Sequence, residues 1–262
     1  MRHRWFVAAL LLAGAAQAQD PAAQVVQCMR ANVPQQLSIK SLELTATDRG
    51  GGTRTLKGHM YMSRESGTDR AGLISAALYI DLPLELKGAA YLVKETDDYL
   101  RDGMFVYLPA VKRVRRITGT FADGSLMGTN FSYFDFKQLQ NAFSDLTGKY
   151  EGVVDVNGRP AHLMSYTVVA GVETHYTGGR LWVDKEACVA VKGEFYEGKK
   201  VVKTFTTPEG AVRKVDGAWY VSEVTMEEPG LGTRTTAHVG KLDTKAALPK
   251  RYFDPNLFYL SP

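Results

Sequence analysis

Apolar and polar residues alternate with a period of two along most of the chain after residue 38, a period typical of β-strands. The first run covers residues 39–47 and returns over 55–63 after the turn-forming triplet Gly50-Gly51-Gly52. Asn157-Gly158 separates two later runs and is a strong signal for a tight hairpin. The pattern predicts about eleven strands, and because no alternation of strands and helices occurs, the sheet should be antiparallel.

Two segments have the helical period instead. Asp20 followed by Pro21 supplies the N-cap side chain and the first-turn proline of a helix, which should run to about Asn32 before Pro34 ends it. Residues 135–146 predict a second, shorter helix. Its apolar stripe consists of Phe136, Leu139, Phe143 and Leu146.

Several of the predicted strands are apolar on both faces. Met104, Val106 and Leu108 alternate with Phe105 and Tyr107, for example. A sheet with one face in water should alternate apolar and polar residues, and two short helices cannot cover both faces of about eleven strands. We therefore predict one sheet curled on itself around an apolar interior. The pattern leaves open whether this interior is packed solid or holds a ligand, and which face of each strand lines it.

The first eighteen residues have the three parts of an export signal. A basic start, Arg2-His3-Arg4, precedes an apolar run over residues 5–16, and Ala16-Gln17-Ala18 matches the small-x-small cleavage pattern. We predict cleavage after Ala18 and export to the periplasm of a Gram-negative bacterium. The alternative is a buried N-terminal helix. No later apolar stretch has the length needed to span a membrane.

Export changes the expectation for the two cysteines, Cys28 and Cys188. In an oxidising compartment a pair of cysteines usually forms a disulfide, which here would tie the N-terminal helix to a distant strand. Two free thiols are the alternative. The chain has no Cys-x-x-Cys pair and its histidines are scattered, so we predict neither a metal site nor another cofactor.

Net charge gives no support for nucleic acid as a partner, but the distribution of the cations indicates another class of partner. The formal net charge is only +4 at pH 7, and Arg2 and Arg4 would leave with the export signal, so net charge gives no indication of nucleic-acid binding. The cations are concentrated in one run after a predicted strand: Lys112, Arg113, Arg115 and Arg116. This run is either a strand edge protected by charge or a site for an anionic partner, such as a lipid headgroup or the acidic face of a protein.

Nothing in the chain has the spacing of a catalytic site. The Gly-x-Ser-x-Gly motif is absent, and the adjacent carboxylates Asp97-Asp98 and Glu227-Glu228 would point to opposite faces of a strand. We therefore predict that the protein is not an enzyme. A hydrolase acting on lipids or peptidoglycan is the disfavoured alternative.

Two motif blocks remain. The first is Leu108-Pro109-Ala110-x-Lys112-Arg113-x-Arg115-Arg116-Ile117, followed by Gly124-Ser125-x-Met127-Gly128-Thr129-x-Phe131-Ser132-Tyr133-x-Asp135. The second is Leu181-Trp182-Val183-Asp184-Lys185, with Val191, Glu194, Phe195-Tyr196 and Gly198-Lys199. Together they resemble the outer membrane lipoprotein-sorting protein family, the LolA/LolB-like periplasmic carriers, from about residue 38 to about residue 242. The chain is longer than the dedicated lipoprotein carrier, and its basic motif is typical of a distinct branch.

The resemblance implies an unclosed antiparallel β-barrel with a helical lid and an apolar cavity for acyl chains. No low-complexity linker or break in composition divides the chain, so we predict a single domain over residues 19–262. We expect this cavity to be lined by Phe105, Tyr107, Met164, Tyr166 and Met226, with the four residues of the basic run at its mouth. The implied function is that of a monomeric carrier that moves lipid or lipoprotein toward the outer membrane. Members of this branch resemble accessories of lipid-exporting, efflux-type transporters of the inner membrane. A non-catalytic adaptor of such a transporter, with a packed barrel, is therefore the alternative.

Overall fold

The computed structural model describes residues 20–65, 72–140 and 146–260, so the predicted export signal lies outside the described residues. Helix α1 covers Pro21–Asn32. It begins as predicted, because the Asp20 carboxylate accepts a hydrogen bond from the backbone N–H of Ala22 at 3.1 Å. Helix α2 covers Tyr133–Gln140.

The described residues contain fifteen strands. In chain order they are β1 Gln36–Thr47, β2 Thr53–Glu65, β3 Leu73–Leu82, β4 Ala90–Lys94, β5 Gly103–Leu108, β6 Arg113–Arg116, β7 Leu146–Val156, β8 Arg159–Val168, β9 Gly178–Asp184, β10 Ala190–Glu197, β11 Lys200–Thr206, β12 Val212–Val215, β13 Ala218–Val221, β14 Glu223–Glu228 and β15 Thr233–Asp243.

Thirteen of these strands form one antiparallel sheet in the order β6-β5-β4-β3-β2-β1-β15-β14-β11-β10-β9-β8-β7, and β12 and β13 form a separate hairpin. The first and last strands pair in the middle of the sheet, where Leu44 lies opposite Ala237. The sheet is curled but does not close into a barrel. The predicted fold class is confirmed, with thirteen strands in the sheet instead of about eleven.

Both helices pack on the same, inner face of the sheet. Side chains from nearly every strand meet there, and Tyr91, Phe195, Phe205 and Met226 are fully buried. Burial of each large apolar side chain contributes about 1.5–3 kcal/mol to folding. This inner core holds the curled sheet around α2.

The outer face of β3–β5 is apolar because the C-terminal tail covers it. Phe253 and Phe258, in two short 3-10 turns of the tail, pack against this face. Tyr107 of β5 stacks on Tyr259 with ring centroids 4.4 Å apart, and the Tyr79 hydroxyl donates a hydrogen bond to the Phe258 carbonyl at 3.1 Å. The tail therefore supplies the second covering layer that two helices could not provide.

Helix α2 begins earlier and ends earlier than the predicted range 135–146. Ser132 caps it: the Ser132 hydroxyl accepts a hydrogen bond from the Asp135 N–H at 2.9 Å, and the Asp135 carboxylate accepts one from the Ser132 N–H at 2.8 Å. This reciprocal pair is a capping box. Strand β7 already begins at Leu146, and Phe143 of the predicted stripe lies outside the described residues.

Candidate functional site

An apolar cavity of about 240 Å³ lies among α1, the inner face of the sheet and the β12–β13 hairpin. Among the residues that the structure describes, none with a charged side chain lies in its walls. Typical ligand pockets measure about 300–1,000 Å³, so this cavity is smaller than most and has room for only a short stretch of an apolar chain. The sheet side of the cavity is formed by Leu37, Ile39, Met60, Met62, Val239 and Leu242.

Three connections hold α1 over this cavity. The predicted disulfide between Cys28 and Cys188 is confirmed, with the two Cα atoms 5.6 Å apart, and Cys188 itself lines the cavity. Arg30 forms an ion pair of 2.8 Å with Glu95, and both side chains are almost completely buried. The side-chain amide of Asn32 donates to the Trp219 carbonyl at 2.8 Å and accepts from the Trp219 N–H at 2.9 Å. The helix and the hairpin are therefore fixed to each other as one cover.

A larger, polar cavity of about 630 Å³ lies toward the opposite ends of the same central strands. The β1–β2 turn, the segment 123–132 and the β14–β15 turn form most of its wall. The ammonium of Lys203 reaches this cavity and lies 2.7 Å from the Asp135 carboxylate and 3.9 Å from that of Glu228. The charges of Lys203 and Asp135, both buried, therefore compensate each other.

Two buried phenols, those of Tyr166 and Tyr176, lie close to this ion pair. Burial raises the pKa of Tyr176, and the nearby carboxylates of Asp135 and Asp123 raise it further. Burial likewise raises the pKa of Tyr166, with Asp135 as the next largest cause. Both phenols are therefore neutral at physiological pH, where they can donate hydrogen bonds but cannot act as bases.

The second part of the first motif block builds the wall of the polar cavity. The Asn130 side-chain N–H₂ donates to Glu228 at 3.0 Å and to the Thr233 hydroxyl at 2.7 Å, and its carbonyl accepts from the Thr235 hydroxyl at 2.8 Å. The Ser125 hydroxyl closes the loop by donating to the Thr129 carbonyl at 2.6 Å. These hydrogen bonds hold the loop that precedes α2. Ser125 and Thr129 belong to the motif, whereas Asn130 occupies one of its unmatched positions.

The structure does not bring the five predicted cavity residues together. Met164, Tyr166 and Met226 lie in the inner core, where they are tightly packed. Phe105 and Tyr107 lie on the outer face, under the C-terminal tail. Within β5 it is Met104 and Val106, the alternate set, that point to the inner core. For each of these five residues, a role in lining a ligand cavity remains a prediction.

The basic run lies on the edge strand β6 and in the turn before it. Lys112, in the turn, has a positive φ of 48°. Lys112, Arg113, Arg115 and Arg116 are all exposed, and in the part of the chain that the structure describes none of them forms an ion pair with a carboxylate. They are absent from the walls of both cavities.

Sequence reasoning missed the residues that do line the apolar cavity. Trp219 and Val221 come from the β12–β13 hairpin, which has a recognisable signal in Asp216-Gly217. Asp216 and Gly217 have positive φ values of 47° and 88°, as the turn of a tight hairpin requires. Met60, Met62 and Val239 could be found only after the register of β1 with β2 and β15 is known.

Within residues 20–65, 72–140 and 146–260, no three His, Cys, Asp or Glu side chains are grouped in a way that could hold a metal ion. The same residues include no helix of the length and apolarity needed to cross a membrane.

Crystal structures of proteins with a similar fold have been determined. The chain is 24% identical to a DUF1329 family protein from Desulfovibrio piger, with a TM-score of 0.77 over 90% of this chain and 98% of that one. It is 22% identical to an outer membrane lipoprotein-sorting protein domain from Vibrio parahaemolyticus, with a TM-score of 0.78 over 90% and 97%. A LolA superfamily protein from Nitrosomonas europaea is 15% identical, with a TM-score of 0.66 over 89% and 97%. These likenesses show a shared fold.

No curated protein matches the chain significantly. The model of the DUF1329-like family, which is described as an uncharacterized protein, matches residues 75–258. This range is more than half of the 262 residues. The chain therefore belongs to the DUF1329-like family, and its fold is that of the LolA superfamily and the outer membrane lipoprotein-sorting domains.

Proposed function

We propose that this protein is a periplasmic carrier that binds the acyl chains of a lipid or lipoprotein and moves them toward the outer membrane. The observation that carries the proposal is the cavity under α1, whose walls are apolar and uncharged. The described relative from Vibrio parahaemolyticus, an outer membrane lipoprotein-sorting protein domain with the same fold, supports it.

The chemistry of the cavity suits an acyl chain. Each methylene removed from water contributes about 0.8 kcal/mol, so binding needs no covalent chemistry and no charged partner. Met29, Met60 and Met62 contribute flexible side chains that can adapt to chains of different shape. In this proposal the protein is not an enzyme and needs no cofactor. It acts as a monomer and as a single domain over residues 19–262.

A second function is favoured by the packing of the inner core. Phe195, Phe205 and Met226 are fully buried in the inner core, and the apolar cavity measures only about 240 Å³. A packed interior suits a non-catalytic adaptor of a lipid-exporting transporter in the inner membrane. In that case the cavity would hold no lipid.

Mass spectrometry of the organic extract of protein purified from its native periplasm distinguishes the two functions. The carrier should release a stoichiometric lipid, whereas the adaptor should release none. A binding titration with a fluorescent fatty acid then tests the site. Val239→Trp should fill the apolar cavity and weaken binding at least tenfold, since Val239 lies in its wall.

The matched control for this substitution is Val201→Trp. Val201 is exposed on β11 and lies outside the cavity wall, so the same added volume should leave binding unchanged. If Val239→Trp folds and binds the fatty acid as tightly as the wild type, acyl chains bind elsewhere and the proposed site is wrong.

Export belongs to the same proposal. Residues 1–18 have the composition of a cleavable signal, and the Cys28–Cys188 disulfide suits an oxidising compartment. N-terminal sequencing of the periplasmic protein should begin at Gln19. A protein that retains Met1 would contradict the predicted processing.

A further inference from the structure

Strand β6 is the last strand of the sheet, and no strand of residues 20–65, 72–140 or 146–260 pairs with its outer edge. It pairs with β5 alone, with Arg115 opposite Val106 and Arg113 opposite Leu108. In the described part of the chain, no backbone hydrogen bond leads from β6 to any segment on its other side. An edge of this kind can accept a further strand.

The hydrogen bonds to β5 define which backbone groups of β6 are free. The Ile117 N–H donates to the Met104 carbonyl at 2.8 Å. Hydrogen-bonded pairs alternate along an antiparallel ladder, so Arg115 and Arg113 also direct their backbone groups toward β5. The N–H and C=O groups of Val114 and Arg116 therefore point away from the sheet, toward the free edge.

The side chains of β6 divide between the two faces in a pattern that a partner can match. Val114 packs with the outer-face cluster under the tail, and the Arg116 guanidinium lies 5.9 Å from the Phe105 ring on that same face. Arg113 and Arg115 lie on the other face, because residues directly opposite share a face and Val106 belongs to the inner core.

We propose that β6 binds an acidic, extended segment of a partner protein as an added antiparallel strand. Opposite Arg116, Arg115, Val114 and Arg113, in that order, the added strand would present an acidic, an acidic, an apolar and an acidic residue. Its backbone would form hydrogen bonds with Val114 and Arg116, and its carboxylates would face the three guanidinium groups. Pairing of β6 with β6 of a second copy is opposed by the like charges of the two strands.

The proposal does not depend on lipid carriage. A cationic edge that only prevents aggregation would have the same free backbone groups and charges, but it would bind nothing. Attraction to an anionic membrane would use the charges without the backbone. The decisive measurement must therefore separate backbone pairing from charge.

The probe is a fluorescently labelled peptide with the core Glu-Glu-Val-Glu between threonines, titrated with the full-length mature protein and followed by anisotropy. Its control is the same peptide N-methylated at the first Glu and at Val, the two residues whose N–H groups should donate to β6. N-methylation keeps every charge, and we expect it to weaken binding at least tenfold. Binding of the parent peptide should also weaken as salt is raised.

A matched pair of protein variants tests the same contact from the other side. Val114→Pro removes the outward N–H while it retains all four cations, and an edge strand tolerates proline where its N–H faces outward. Val114→Ala trims the side chain but keeps the N–H. Circular dichroism and thermal unfolding first establish that both variants fold. Val114→Pro should then bind the peptide at least tenfold more weakly than Val114→Ala.

Four results would overturn the proposal. These are equal binding of the parent and N-methylated peptides, equal binding by the proline and alanine variants, binding to phosphatidylglycerol vesicles in place of the peptide, and binding to neither probe. The first two indicate attraction by charge alone, the third a membrane surface, and the fourth a protected edge.

Discussion

Asp184 illustrates how single residues of the second motif block stabilise the fold. Burial raises the pKa of this carboxyl, but hydrogen bonds from Arg159 and from the backbone N–H groups of Ala187 and Glu186 outweigh burial, and the pKa is lowered overall. A lowered folded-state pKa means that the ionised carboxylate contributes stability above the unfolded-state value of about 3.9. That contribution is lost as the pH falls through the folded-state pKa.

The first prediction follows from this lowered pKa. Arg159→Gln should reduce the free energy of unfolding at pH 6, and the difference from wild type should shrink as the pH falls below about 4. Urea unfolding at a series of pH values measures it. Arg180→Gln is the control, because Arg180 is half-exposed and 3.9 Å from Glu151, a distance at which little stability is expected. A difference that stays constant down to pH 2 would show that Arg159 stabilises the fold by packing alone.

The second prediction concerns the disulfide. Its two cysteines are 160 residues apart in sequence. Removal of a crosslink over a long loop releases entropy in the unfolded chain, so Cys28→Ser should lower the free energy of unfolding by about 2–4 kcal/mol. Cys188→Ser and the double variant should each lose a similar amount, because all three lack the same bond. If wild type unfolds at the same urea concentration with and without reductant, the bond contributes nothing.

At the scale of elements, the β12–β13 hairpin contributes to the wall of the apolar cavity, so a change in its turn should affect binding. Gly217 has a φ of 88° and no atom close to an added Cβ, so Gly217→Ala should cost about 1–2 kcal/mol through the backbone alone. Since Trp219 of this hairpin lines the cavity, fatty-acid binding should weaken as well. Gly198→Ala is matched: it has a φ of 61° and free space, but its turn is remote from the cavity. Gly198→Ala should lose a similar amount of stability and bind the fatty acid as wild type does. Equal fatty-acid binding by the two variants would contradict the role of the hairpin.

Elements with strong local signals were predictable from sequence. The Asp20-Pro21 start of α1 and the Asn157-Gly158 hairpin between β7 and β8 are confirmed, because caps and tight turns depend on few neighbouring residues. Strand β6 has no apolar alternation to reveal it, since three of its four residues are arginines. The cavity residues share no sequence signal, because strands from opposite ends of the chain form its wall.

At the scale of the whole molecule, the C-terminal tail is part of the fold. A chain that ends at Pro249 lacks Phe253 and Phe258 and uncovers the outer face of β3–β5. We expect a loss of several kcal/mol, at about 1.5–3 kcal/mol for each buried aromatic, and binding of the dye ANS to the uncovered face. Leu260→Ser is the control, because Leu260 is largely exposed in the same tail. If the truncated chain has the same free energy of unfolding as the full chain, the tail contacts the sheet without stabilising it.

The pairing of the first strand with the last has a consequence for the order of folding. Strands β1 to β6 form a meander of near neighbours, so this half can assemble before the second half of the chain is in place. Among the strand pairs of the sheet, the central contact between β1 and β15 closes the longest loop, and this edge of β1 stays unpaired until nearly the entire chain is available. During that interval an apolar strand edge is open to wrong partners. We expect the slow step of refolding to be the joining of the two halves of the sheet.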